Sequence, residues 1–130
     1  MFVEAEPDEV FGYFTEATNM VRWMGEYALL DARPGGEFTV DIEGFPVRGR
    51  YQELDRPNRV VFTWGFAGSD DLPPGASTVE VLLSEESGGT RVEIVHHGLP
   101  PTRTTRHAEG WRKYLDRLAL AATGSTMGPA

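Results

Sequence analysis

Cysteine is absent from the 130-residue chain, which excludes disulfides, thiolate nucleophiles and Cys-ligated zinc and suits a reducing compartment. Cations are scarce: 12 Lys and Arg stand against 20 Asp and Glu, a formal charge of -8. That sign is wrong for a protein holding nucleic acid or an anionic membrane surface through a general basic field. No apolar run approaches the roughly 18 residues of a membrane span. The start, Met1-Phe-Val-Glu-Ala-Glu-Pro-Asp-Glu9, has neither the basic residues nor the hydrophobic stretch of a secretion signal. A cytoplasmic protein without membrane insertion is expected. Histidine is rare as well, three in all. There is no H-E-x-x-H and no calcium-loop pattern, and the adjacent His96 and His97 fall on opposite faces of a strand, so no metal site and no cofactor are expected. The G-x-S-x-G pattern of a serine hydrolase is missing. Gly35-Gly36 and Gly88-Gly89 are turn glycines, since neither belongs to a strand-loop-helix unit that cradles phosphate.

What is present is an ordinary globular mix, 40% hydrophobic and 11% aromatic, enough for one core and too short for two. Residues 1–123 read as the domain and 124–130 as a flexible C-terminal tail. Residues 2–5 suggest a short strand. Pro7, Asp8 and Glu9 suit a helical first turn, with Val10, Phe11 and Phe14 as the apolar stripe. A second short helix starts at Thr18 or Asn19 and reaches residue 24, where Gly25 stops it. From residue 36 the period becomes two: Phe38, Val40 and Ile42 alternate with Thr39, Asp41 and Glu43, then Val47, Gly49 and Tyr51 with Arg48, Arg50 and Gln52. Residues 60–64 form a more continuously apolar strand, 65–76 a long loop in which Asp70 and Asp71 read as solvated charge, and 78–83 and 91–96 two further strands joined by a turn. A long helix capped by Thr102 or Thr105 runs to about Ala122, ended by Gly124. On it His107, Trp111, Tyr114, Leu115, Leu118 and Ala122 share an arc of about 100°, and Leu120 falls on the polar side. The economical solution is α+β: one antiparallel sheet of about six strands with the long helix across it and two short helices after the first strand.

The ordered series Met20-Val-Arg-Trp-Met-Gly25, Arg33-Pro-Gly-Gly-Glu-Phe38, Gly49-Arg-Tyr51, Arg59-Val-Val-Phe-Thr-Trp64, Ser77-Thr-Val-Glu-Val81, Gly89-Thr-Arg-Val92, His97-Gly-Leu99 and Gly110-Trp111 resembles the bacterial homologues of the activator of heat-shock-protein-90 ATPase. That family lies in the START-like, or SRPBCC, superfamily, and the resemblance covers nearly the whole chain. It implies a helix-grip fold, in which a curved antiparallel sheet wraps the long C-terminal helix and leaves an apolar cavity between them. Family members begin several residues earlier, which implies a clipped first strand or a native start upstream of Met1. Function is less constrained, because the superfamily places lipid carriers, cyclases, hydroxylase domains and co-chaperone domains on one scaffold.

Within that frame the candidate ligand-binding residues are Phe38, Val40, Tyr51, Phe62, Trp64, Val81, Ile94 and His96 from the strands, and His107, Trp111 and Tyr114 from the helix. The aromatics offer stacking area, and few groups among them make directional hydrogen bonds. His96 and His107 come to the same end of the layer if the intervening turn is tight. A neutral imidazole there could orient a ligand oxygen or act as a general base; a histidine satisfied by backbone at the end of the core is the plainer reading. Three functions follow: a binding protein for a small hydrophobic or aromatic molecule, a cyclase, isomerase or hydrolase using pocket His and Tyr, and a chaperone-ATPase-regulating domain with a protein partner or homodimer. The first leads, because the residue pattern places no coupled ionisable pair and the eukaryotic co-chaperones carry an additional domain.

Overall fold

The computed structural model describes residues 1–127. Along the chain lie β1 (Phe2–Val3), α1 (Pro7–Thr15), α2 (Ala17–Met20), β2 (Tyr27–Leu30), β3 (Glu37–Ile42), β4 (Phe45–Asp55), β5 (Arg59–Trp64), β6 (Ser77–Glu86), β7 (Gly89–His97), a 3-10 turn at Pro101–Arg103 and α3 (Thr104–Met127). The strands form one seven-stranded sheet in the order β1-β7-β6-β5-β4-β3-β2, and every pairing is antiparallel. With the long C-terminal helix packed on one face, this is the helix-grip architecture.

The seventh strand is β2, which the alternation of apolar residues does not announce. It is an edge strand of four residues, and its larger apolar side chains, Tyr27 and Leu29, face solvent. The first strand also stops at Val3, two residues short of the expectation. Helix α2 is a single turn, continued to residue 24 by turns that Met20 accepts from Trp23 and Met24, and Gly25 with φ +87° ends it. At the other end α3 runs through Gly124 to Met127, so that glycine is no stop; residues 128–130 of the expected tail lie outside the described residues.

Strand β4 serves two neighbours. Its first half pairs with β3, from Phe45↔Ile42 to Arg50↔Glu37, and its second half with β5, from Tyr51↔Phe62 to Asp55↔Arg59, with a register shift at Tyr51/Glu53. Gly49 sits at the changeover, where a Cβ would stand 1.9 Å from the Thr63 carbonyl oxygen; only glycine permits that approach. The β3–β4 hairpin closes through Glu43 (φ 49°) and Gly44 (φ 86°), the paired positive angles that match the twist of a two-residue hairpin.

Under the sheet lies a core of large side chains. Phe38 stacks on Phe62 at 4.1 Å, Tyr51 meets Phe38 edge-on at 5.6 Å, and Phe14 meets Trp23 edge-on at 5.1 Å. The polar ends of these rings are satisfied: the Tyr51 hydroxyl donates to the Phe14 carbonyl at 2.7 Å and the Trp23 indole to the Tyr13 carbonyl at 2.9 Å. Residues 65–76 are less open than expected. Arg48 N–H donates to the Gly65 carbonyl and Ala67 N–H to that of Pro46, while Leu72 is fully buried. This segment thus prolongs β5 along the start of β4 and carries Phe66 to within 5.8 Å of Phe45.

Candidate functional site

At the N-terminal end of α3 the grip is incomplete. A cleft of about 250 Å³ opens between the first three turns of α3, the tip of the β3–β4 hairpin and the end of β5. A dry cavity of roughly 150 Å³ already holds benzene, so this one admits one or two fused rings. Its apolar lining includes Trp64, Phe66, Trp111, Phe45 and Met24. Trp64 and Trp111 stand 5.3 Å apart, tilted by 46°. The buried indole N–H of Trp64 has no protein acceptor among the described residues. Gly110 faces the same space, and a Cβ built on it meets nothing within 4 Å.

Behind the cleft wall, His96 is locked. The Ser77 hydroxyl lies 2.8 Å from the Trp64 carbonyl, to which it must donate its one proton. The same Oγ is 2.8 Å from His96 Nε2, so it can only accept there, and Nε2 carries the hydrogen. The Trp111 indole then donates to His96 Nδ1 at 3.0 Å. Both ring nitrogens are spent on a neutral tautomer that ties α3 to β6 and β7. Burial, followed by the repulsion of His107 and His97, pushes its pKa down to about 3. A second proton would set two N–H groups against each other at Trp111. His97, one residue on, turns outward to Glu80 at 3.3 Å.

His107 is placed differently. Its Nδ1 lies 3.2 Å from the Arg103 carbonyl one turn back, which only accepts, so Nδ1 holds the hydrogen and Nε2 is left as a lone pair on the side of the ring away from the helix. Burial lowers its pKa, partly offset by the Arg103 carbonyl. It is the imidazole of the pair that a ligand can use.

The rim is charged. Tyr114 donates its hydroxyl to Glu43, and Lys113 donates to the same carboxylate oxygen at 3.0 Å. These two contacts, the phenol first, hold Glu43 below the usual carboxylate range. The Tyr114 phenol is pushed up to about 12 by burial and then by Glu43. The backbone N–H of Glu43 is held in turn by the Glu26 carboxylate at 3.0 Å. Across the cleft, Arg103 lies over the Phe66 ring at 5.2 Å and grips Asp71 with Nε and Nη2 at 2.8 and 2.9 Å. Asp71, expected as free loop charge, is what fastens residues 65–76 to the turn that leads into α3.

Of the residues expected at a ligand site, Trp64, His107, Trp111 and Tyr114 line the cleft. Phe38, Val40, Tyr51, Phe62 and Val81 are buried in the packed core and do not line the cleft; on β3 and β5 the lining begins only at Ile42 and Trp64, toward the hairpin tip and the strand end. Ile94 packs against that core, and His96 supports the wall from behind. Sequence reasoning passed over Phe66, Phe45, Glu43, Arg103, Arg106 and Gly110. Phe66 was readable, as Phe62, Trp64 and Phe66 keep period two. So were Arg103 and Gly110, four and three residues from His107; Arg106, its immediate neighbour in sequence, was not.

Residues 4–123 match the family described as Activator of Hsp90 ATPase homolog 1-like protein. The chain belongs to that family. An AHSA1-like protein from Rhizobium etli with a solved structure is 38% identical, over 94% of this chain and 78% of the other, with a TM-score of 0.73. A Chromobacterium violaceum protein superposes with a TM-score of 0.82 at 25% identity, covering 94% and 92% of the two chains. The human activator of 90 kDa heat shock protein ATPase homolog 1 is 26% identical over 109 residues, which are 83% of this chain and 31% of the human protein. The AHSA1-like domain described here thus spans about a third of the length of the curated relatives it matches.

Proposed function

We propose that the protein binds a small aromatic or apolar molecule reversibly in the cleft at the start of α3. The observation that supports this reading is the aromatic lining around open space: Trp64, Phe66, Trp111 and Phe45 border about 250 Å³ of cleft. Concave, mostly apolar sites with few polar groups are the usual form of a small-molecule site. His107 Nε2 supplies one acceptor to orient the ligand. The enzymatic alternative is weaker, because His96 has both nitrogens committed to Ser77 and Trp111 and leaves His107 without a coupled acid or base. A protein-interaction role is favoured by one observation, the similarity to a human protein named as an activator of a chaperone ATPase.

Gly110→Leu separates these readings. The new side chain enters open space, and leucine in a helix interior is favoured over glycine by about 1 kcal/mol, so the variant should fold and gain a few degrees in Tm. In a thermal-shift screen, an aromatic compound at a hundred times its Kd should stabilise the wild type by about 2.7 kcal/mol and leave Gly110→Leu unmoved. A screen of single- and double-ring aromatics that finds no stabilising compound, or equal shifts in both proteins, removes the binding reading and leaves the partner role.

A further inference from the structure

We infer that the molecule this cleft takes is the anion of an aromatic acid, its ring against Trp64 and Trp111 and its charged oxygens at Arg106; this rests on the reading that the cleft binds an aromatic molecule at all. The chain carries a formal charge of -8, yet the cleft is lined by three cations, Arg103, Arg106 and Lys113, against one carboxylate, Glu43. Two of those cations are neutralised within the protein. Arg103 spends its fork on Asp71, and Lys113 pairs with Glu43. Arg106 has no ion-pair partner among the described residues and is exposed. It also sits in the opening turn of α3, which contains no acidic side chain, so the positive end of the helix dipole adds to its field.

A guanidinium presents planar paired donors that match a carboxylate. An unneutralised cation at the mouth of a low-dielectric cleft concentrates anions there, even on an acidic protein. A neutral aromatic would fill the apolar lining and leave Arg106 without a role. An aliphatic anion would satisfy Arg106 and leave the indole faces uncovered. A molecule with both parts uses the aromatic lining and Arg106 together.

The test is isothermal titration calorimetry of 1-naphthoate and its neutral counterpart 1-naphthalenemethanol against the full chain. It is run in wild type, Arg106→Gln and Arg112→Gln, the last removing the same charge from an exposed helix position outside the cleft. Wild type should bind the carboxylate about five- to tenfold more tightly than the alcohol, the range of a solvent-exposed charge-assisted contact. Arg106→Gln should lose that preference while binding the alcohol as before, Arg112→Gln should keep it, and added salt should shrink it. Equal wild-type affinities for the two compounds, a preference that survives in Arg106→Gln, or one that Arg112→Gln also abolishes would overturn the anion proposal and leave aromatic binding standing. Absence of binding and of thermal stabilisation by both compounds would overturn the two readings together.

Discussion

Replacing His96 by phenylalanine should make the stability curves of wild type and variant cross as the solution is acidified. In the folded wild type the imidazole is kept neutral, its pKa displaced from 6.5 to about 3 by burial and by its histidine neighbours. Between those two values the unfolded chain binds a proton that the folded chain refuses. Stability therefore rises with pH through that window, is complete above it and falls on acidification. At about 1.4 kcal/mol per pH unit, going from about pH 7 to about pH 4 would cost at most about 3 kcal/mol. Partial exposure of the ring brings the working figure to about 2 to 3 kcal/mol. Phenylalanine keeps the ring volume and cannot titrate, but it leaves the Trp111 indole N–H without the acceptor it has at 3.0 Å, a loss of about 1 to 2 kcal/mol near neutrality. The variant should thus be the weaker protein near pH 7 and the stronger one, by about 1 kcal/mol, near pH 4. The carboxylates of Asp8, Glu43, Asp71 and Glu80, held low by their partners, and the half-buried His107 also weaken the fold in acid, but they do so in both proteins, and the comparison cancels them. Urea unfolding followed by circular dichroism across this range reads the difference, and imidazole nitrogen shifts in NMR report the hydrogen on Nε2. Parallel curves, or a His96 that protonates near its ordinary value in the folded state, would refute the neutral imidazole held between Ser77 and Trp111.

Leu118 is fully buried on the inner face of α3, so Leu118→Ala should cost about 3 to 5 kcal/mol in chemical denaturation; a loss below 1 kcal/mol would mean the helix register is wrong. Tyr114→Phe removes the larger of the two contacts that hold Glu43 low, and the Glu43 titration followed by carboxylate NMR should move up; an unchanged titration would show that the phenol does not bond it. Asp71→Asn should speed amide exchange at Phe66, whose N–H is held by Leu72, while global stability falls by less than about 1 kcal/mol because the pair is exposed. Unchanged exchange there would mean that the Arg103 pair does not fasten the segment.

Elements with one clean period were legible from the residues alone. Phe38, Val40 and Ile42 do face the core, and His96 and His97 do fall on opposite faces, His96 inward against Trp111 and His97 outward toward Glu80. What escaped had a physical reason in each case. β2 escaped because its Tyr27 and Leu29 are exposed, so an edge strand stabilised by backbone pairing with β3 leaves no apolar alternation to read. The role of Asp71 escaped because its partner, Arg103, is 32 residues away, and composition marks a charged loop without saying what it touches. Leu120, on the polar side of the stripe, is 72% exposed, and nothing in the structure explains it. The helix passes Gly124 because a glycine stop needs a left-handed residue there as well as the glycine, and the backbone at that position is helical.

The confusion of core with cleft has a deeper cause, and α3 displays it. His107, Trp111, Tyr114, Leu118 and Ala122 are one continuous stripe, yet its two ends meet different things. Toward the C-terminal end, α1 closes over the helix: Tyr13 donates its hydroxyl to the Ala121 carbonyl at 3.3 Å, and Leu118 and Ala122 are fully buried. Toward the N-terminal end no element of the α1 kind among the described residues reaches across, and Trp111 and His107 are left half-buried beside open space. An apolar stripe encodes only that one side of a helix avoids water; whether the other side meets protein or a void is decided by how far a separate element extends. The same division sets what substitutions should do. Gly110→Leu should abolish binding while raising Tm by a few degrees, a change at Arg106 should alter binding with little effect on stability, and a change at Leu118 should alter stability first, because the fully buried half of the stripe carries more of the fold.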